Sequence, residues 1–103
     1  MLDATRGTAL RDLRFDWDQW NVQKNEIKHG VSRLEAESVF FDDAHKIFSD
    51  IKHSTKAEAR YLLYGKSLEN RVLMIGFTLR SGLVRIITAR PASKKEREVY
   101  ETA

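Results

Sequence analysis

Residues 71–91, RVLMIGFTLRSGLVRIITARP, constrain the fold more than any other part of the chain. Two runs rich in β-branched and apolar residues flank Ser81–Gly82, which predicts two long antiparallel strands joined by a tight turn. A two-residue turn fixes the register, setting Arg80 opposite Leu83, Leu79 opposite Val84, Thr78 opposite Arg85 and Phe77 opposite Ile86. Side chains alternate between the faces of a strand. Leu73, Ile75, Phe77, Leu79, Val84 and Ile86 therefore share the predicted core face, and Gly76, Thr78, Arg80, Arg85 and Ile87 share the other. One more residue in the turn would flip one strand and undo this pattern.

The second face carries two arginines, a threonine and a mid-strand glycine. Glycine weakens a strand, and close approach of a ligand backbone is one reason to have it there; a plain solvated face is the other reading. Arg60 can join from the preceding strand. Arg90 falls on the core-side phase, but at the strand's end, where it can reach toward the N-terminus of the following helix.

The remaining segments fit around this hairpin. "RFDW" reads as a short strand, and "HKIFSDIKH" and "ARYLLYG" have strand composition. Asp16 or Asp18 can cap a helix over about 18–28 that ends at Gly30. Trp17, Trp20, Lys24 and Ile27 lie on one stripe of it and are expected in the core. Ser32 and Glu35 make a capping box with Val31 and Ala36 in the staple positions. That second helix is expected to carry Leu34, Val39 and Phe40 inward and to stop at Asp42–Asp43. Pro91 ends the last strand, and Ser93 with Glu96 opens a short terminal helix on which Arg97 and Tyr100 can meet. The order predicts an α+β fold: a mostly antiparallel β-sheet with two N-terminal helices and a short C-terminal helix. A chain of 103 residues supports one core. Residues 1–13 have weak periodicity and read as a flexible extension, with the domain proper over 14–103.

Charge points to the partner. The net charge is +3, but Arg80, Arg85, Arg90, Lys94, Lys95 and Arg97 face Glu96 alone over residues 80–97, leaving the rest mildly acidic. A basic block of this kind suits a phosphate-bearing partner. Arg90, Lys94 and the terminal helix's N-terminus together can grip a phosphate. The absence of cysteine excludes disulfides and thiolate metal sites and fits a reducing cytosol. The N-terminus lacks a signal peptide's apolar run, and no stretch approaches the roughly 18 residues of a membrane span. A cytoplasmic protein without membrane contact is expected.

Several chemistries are excluded. There is no P-loop, G-x-G-x-x-G, H-E-x-x-H or G-x-S-x-G motif. His29, His45 and His53 lack metal-ligand spacing, and the acids form no convincing ligand set, so neither a metal nor another cofactor is expected. Metal-free cleavage of RNA remains. There the 2′-hydroxyl is the nucleophile, and the protein supplies a proton acceptor, positive charge and a donor for the leaving oxygen. Lysine, histidine, arginine and tyrosine are enough.

The stretch "EIKHGVS" (26–32) places Lys28 and His29 before a glycine. A helix end explains both, since cations favour a C-terminus. That end should raise the pKa of His29, with Lys28 and the arginines opposing it.

Motifs spread over most of the chain carry a resemblance. They include "FDWD" (15–18), "NEIKHGVS" (25–32), "EAESVFFDD" (35–43), "HS" (53–54), "EAR" (58–60) and "GKS" (65–67). "RVL" (71–73), "TLR" (78–80) and "RIITARPASKKEREVYE" (85–101) complete them. In order and spacing the chain resembles the BrnT family, toxins of type II toxin–antitoxin modules. The resemblance implies a RelE-like fold, ribonuclease activity that slows translation and growth, and a cognate BrnA-type antitoxin that neutralises the toxin. It also implies operator DNA binding only through the antitoxin complex. The family's basic and aromatic positions map to Lys28, His29, Arg60, Arg80, Arg85, Arg90, Arg97 and Tyr100. Of these, Arg80, Arg85, His29, Lys28 and Tyr100 are the catalytic candidates, and Arg60, Arg90, Lys94 and Arg97 the RNA contacts. Asn70 and Phe77 depart from the family's usual glycine and tyrosine. A nucleic-acid-binding or antitoxin-pairing module without catalysis is the alternative function.

Overall fold

The computed structural model describes residues 13–102. The elements run β1 (Phe15–Trp17), α1 (Gln19–His29), α2 (Arg33–Ser38), a 3₁₀ turn (Val39–Phe41), β2 (Lys46–Ser49) and a second 3₁₀ turn (Ile51–His53). They continue with β3 (Arg60–Lys66), β4 (Val72–Arg80), β5 (Leu83–Pro91) and α3 (Lys94–Glu101). The five strands form one sheet in the order β1-β5-β4-β3-β2, antiparallel except for the β1–β5 pair. The α+β architecture is the expected one. "HKIFSDIKH" is the exception: its strand stops at Ser49, and Ile51–His53 coil into a 3₁₀ turn. Of residues 1–13, only Leu13 is described, and it packs against the core.

The β4–β5 hairpin has the expected register from Arg80↔Leu83 to Phe77↔Ile86. Ser81 and Gly82 both have positive φ, 53° and 77°, as the primed turns that match strand twist require. Asn70 also sits in the left-handed region at φ 63°, which explains why glycine suits that turn. Beyond Phe77 the register shifts: Gly76 pairs with Thr88, so Ile87 is an extra residue in β5. This bulge inverts the facing of the rest of β5. Arg90, opposite Met74, therefore joins the face of Gly76 and Thr78, not the core-side phase expected of it.

The core lies between α2 with its 3₁₀ extension and one sheet face. Val31, Ala36, Val39 and Phe40 pack on Leu63, Leu73, Ile75, Phe77, Val84, Ile86 and Ala89. Ser32 accepts the Glu35 N–H, and Val31 and Ala36 are buried as staple residues. The Glu35 carboxylate does not close a capping box. It is buried, takes two hydrogen bonds of 2.7 Å from Arg71, and accepts the Ser67 hydroxyl at 2.6 Å.

Two expectations about the helices fail. Trp20 and Ile27 are 70% and 86% exposed, and Leu34 is 67% exposed. The residue α1 buries is Asn25, whose side-chain oxygen accepts from Ala89 N–H at 3.2 Å. On the edge away from β4, strand β5 has no strand neighbour beyond Ile86, so α1 must present hydrogen-bonding atoms there rather than an apolar surface.

The Glu35–Arg71 pair predicts an acid sensitivity. The Arg71 hydrogen bonds, opposed by burial, hold the Glu35 carboxyl below its usual range. A depressed folded-state pKa gives stability that is present above the unfolded value, ~4.3, and is lost as pH falls through the folded one. Glu96, held down by Arg90, acts in the same sense. Urea midpoints should therefore fall below about pH 4.5, and Glu35→Gln should flatten that decline. An equally steep decline in the variant would refute the assignment.

Candidate nucleic-acid interface on the open sheet face

The sheet face opposite the core is built from alternating positions of β3, β4 and β5. Pairing places Arg60, Thr78 and Arg85 side by side across the three strands. Leu62, Gly76 and Thr88 form the next row, and Tyr64, Met74 and Arg90 the third. Helix α3 closes the third-row end: Glu96 takes both guanidinium nitrogens of Arg90, at 2.8 and 2.9 Å. Thr78 is buried, while Arg60 of the first row and Leu62, Gly76 and Thr88 of the second line, together with Asp50 and His53, a cavity of about 130 Å³. That is below the ~300–1,000 Å³ of small-molecule pockets and suits a group the size of a phosphodiester. A larger groove of about 380 Å³ lies on the core side, and its described lining is apolar side chains with His45, without lysine or arginine.

The cavity rim is tied together by short bonds. Ser54 Oγ donates to Asp50 O at 2.7 Å and accepts Arg60 N–H at 2.8 Å, and Asp50 N–H donates to Arg60 O at 2.8 Å. These bonds fasten the 3₁₀ turn to the start of β3. Within the turn, His53 Nδ1 lies 2.8 Å from Asp50 Oδ2. On the other side, Thr78 Oγ1 donates to Ala59 O at 2.7 Å. Glu58 bridges two arginines, taking Arg60 Nε at 2.6 Å and Arg80 Nη2 at 3.4 Å. Those guanidinium groups hold the Glu58 carboxyl below its usual range, Arg60 first.

The expected site residues thus separate into groups. Arg60, Arg80 and Arg85 share the open face. Arg85 is the most restrained, with Asp16 at 2.8 Å and Asp18 at 3.5 Å, and Asp18 also caps α1. Lys28 and His29 end α1 beside Arg90. Burial, followed by Lys28, Arg90 and Lys24, lowers the pKa of His29, opposite to the rise expected from the helix end alone. Arg90 is engaged by Glu96, and Ser93 with Glu96 forms the expected capping box. The N-terminus of α3 is therefore satisfied internally, and Arg90 does not join it as a free phosphate grip. Lys94 is exposed, and Arg97 donates to Ala92 O at 2.8 Å. Tyr100 donates to Asp42 Oδ2 at 2.7 Å, and burial together with that bond pushes its pKa up to about 12. It fastens α3 to the turn before β2, away from the cavity-lining residues.

His53, Asp50 and Glu58 were not among the expected site residues. His53 and Glu58 have a signal in the sequence, because "HS" and "EAR" belong to the motif series, whereas Asp50 lies in none of those motifs. Reading residues 45–53 as one strand concealed the turn that brings His53 over the sheet. Among the described residues no three His, Cys, Asp or Glu side chains gather as metal ligands. No helix among them is long and apolar enough to cross a membrane.

The family model described as "Ribonuclease toxin, BrnT, of type II toxin-antitoxin system" matches residues 17–96. The chain is also similar in structure to the ribonuclease toxin BrnT of Brucella abortus, with 26% identity and a TM-score of 0.57, covering 80% of this chain and 99% of that one. No curated protein matches.

Proposed function

The chain belongs to the BrnT family of ribonuclease toxins of type II toxin–antitoxin systems, and from that premise we propose that it cuts RNA internally without a metal ion. By doing so in the cytoplasm it slows translation and growth. Membership implies an RNA substrate and an antitoxin partner. We take that partner to be a BrnA-type protein, through which alone the toxin meets operator DNA. We take residues 14–103 as the toxin domain.

The observation that carries this reading is the open face itself. Arg60 lines a phosphodiester-sized cavity together with imidazole, carboxylate and hydroxyl groups, and Arg80 and Arg85 share the same sheet face. A backbone phosphate brings its own nucleophile, the adjacent 2′-hydroxyl, so the site must supply only charge and proton transfer. In this reading Arg60 and Arg80, which share Glu58, exchange it for the non-bridging oxygens. Arg85 backs them from β5. Lys28, His29, Lys94 and Arg97 serve as outer contacts along the RNA chain, where position matters less than charge.

The test is single-stranded RNA with purified protein in excess chelator. Cleavage is expected to proceed at the same rate as without chelator. Salt-sensitive binding with no cleavage under any condition would instead support a binding module. Cleavage abolished by chelator and restored by a divalent ion would refute metal independence.

A further inference from the structure

We propose that His53 is the proton-transfer group of this site and that Asp50 is its positioning residue. The inference rests on the reading that the chain cleaves RNA and adds which side chain moves the proton. Three observations carry it. His53 lines the cavity on the open face with Arg60, whereas His29 ends α1 and His45 lies on the opposite side of the sheet. His53 Nδ1 is 2.8 Å from Asp50 Oδ2. A carboxylate oxygen accepts hydrogen bonds, so Nδ1 carries the hydrogen and Nε2 is left for chemistry. Finally, Ser54 and the Asp50–Arg60 backbone bond fasten this turn to β3, so the backbone segments that carry the imidazole and the Arg60 guanidinium are joined in one bonded unit.

In the step this geometry supports, Nε2 takes the 2′-hydroxyl proton as the 2′-oxygen forms its bond to phosphorus. The bond from phosphorus to the 5′-oxygen breaks, that oxygen takes a proton from water, and the resulting hydroxide recovers a proton from the His53 imidazolium, which restores the neutral ring. The products are a 2′,3′-cyclic phosphate and a 5′-hydroxyl, and no oxidant, reductant or second substrate is consumed. Arg60 balances the charge on the non-bridging oxygens. Asp50 also lines the cavity, but its Oδ2 is engaged by Nδ1, and in this step it acts by holding the ring's tautomer and direction.

The experiment is single-turnover cleavage of a single-stranded RNA oligonucleotide by the full-length protein, with circular dichroism to verify folding. His53→Ala should lower the rate about a hundredfold or more, and added free imidazole should restore part of it. Asp50→Asn should lower kcat about tenfold with KM unchanged, the signature of an interaction used in the transition state. A folded His53→Ala variant cutting within threefold of wild type would overturn the proposal. Loss of activity with no rescue by imidazole would move His53 to a structural or binding role and overturn proton transfer. An Asp50→Asn effect confined to KM would overturn the positioning role. Wild-type protein that leaves RNA intact would refute the ribonuclease reading itself, an outcome distinct from the other three.

Discussion

Asn25→Leu is expected to destabilise the protein by about 3 kcal/mol, a large loss for a residue that sequence alone would leave on a polar helix face. Strand β1 is only three residues long and covers β5 from Val84 to Ile86. Past that point the outer edge of β5 meets α1, and Asn25 stands in for the missing strand. Its oxygen accepts from Ala89 N–H at 3.2 Å, its nitrogen approaches Ile87 O at 3.5 Å, and the side chain is 1% exposed. Leucine fills similar space but leaves a backbone donor and acceptor without partners. Each costs about 1–3 kcal/mol when buried. For a domain of this size that corresponds to a fall in melting temperature of about 12–24 °C. Thermal unfolding by circular dichroism checks it, and a fall of less than about 3 °C would show that water or a shift of α1 satisfies the edge instead.

The same residue shows where sequence patterning runs out. Helical periodicity assigns the apolar stripe inward, which is why Trp20 and Ile27 are expected in the core and Asn25 is not singled out. The rule assumes that a helix packs on apolar side chains. Helix α1 packs on the backbone edge of β5, where amide groups are wanted, and no local pattern announces that requirement. Leu34 and Glu35 invert for a related reason: the buried carboxylate is matched by Arg71, a partner 36 residues away. By contrast, the two-residue turn at Ser81–Gly82 acts locally, and the register it dictates is correct over four residue pairs. It fails at the first long-range irregularity, the bulge at Ile87, and Arg90 changes face as a result. The capping box at Ser93–Glu96 and the stop at Gly30 are likewise local and were legible. So were the arginines of the open face. The turn carrying His53 was not, because its 3₁₀ geometry depends on bonds to β3 as well as on bonds among its own residues.

Arg60→Ala is expected to lower kcat/KM for RNA by about a thousandfold while leaving the fold intact. The cleavage transition state gathers negative charge on the phosphate oxygens, and removing one preorganised donor from such a site costs about 10²–10³ in rate. Arg60 is the arginine best placed for this role. It lines the cavity, its backbone is clamped by Ser54, and its guanidinium is half-buried. Arg85 is occupied by two carboxylates, and Arg80 is more exposed and only weakly held at 3.4 Å. Arg80→Ala should therefore cost less, about tenfold, mostly in KM and with a shallower salt dependence, as loss of one phosphate contact requires. Arg60→Lys should not restore full activity, because an ammonium cannot present two donors in a plane to two oxygens. Destabilisation cannot account for such a loss. Glu58 and Arg60 pair near the surface, where breaking an ion pair has little effect on folding. Unchanged melting temperatures with cleavage reduced in the order Arg60, then Arg80, would fit this division of labour. Equal losses at Arg60 and Arg80, or full activity in a folded Arg60→Ala variant, would place the transition-state charge elsewhere on the sheet, with Arg85 next to be tested.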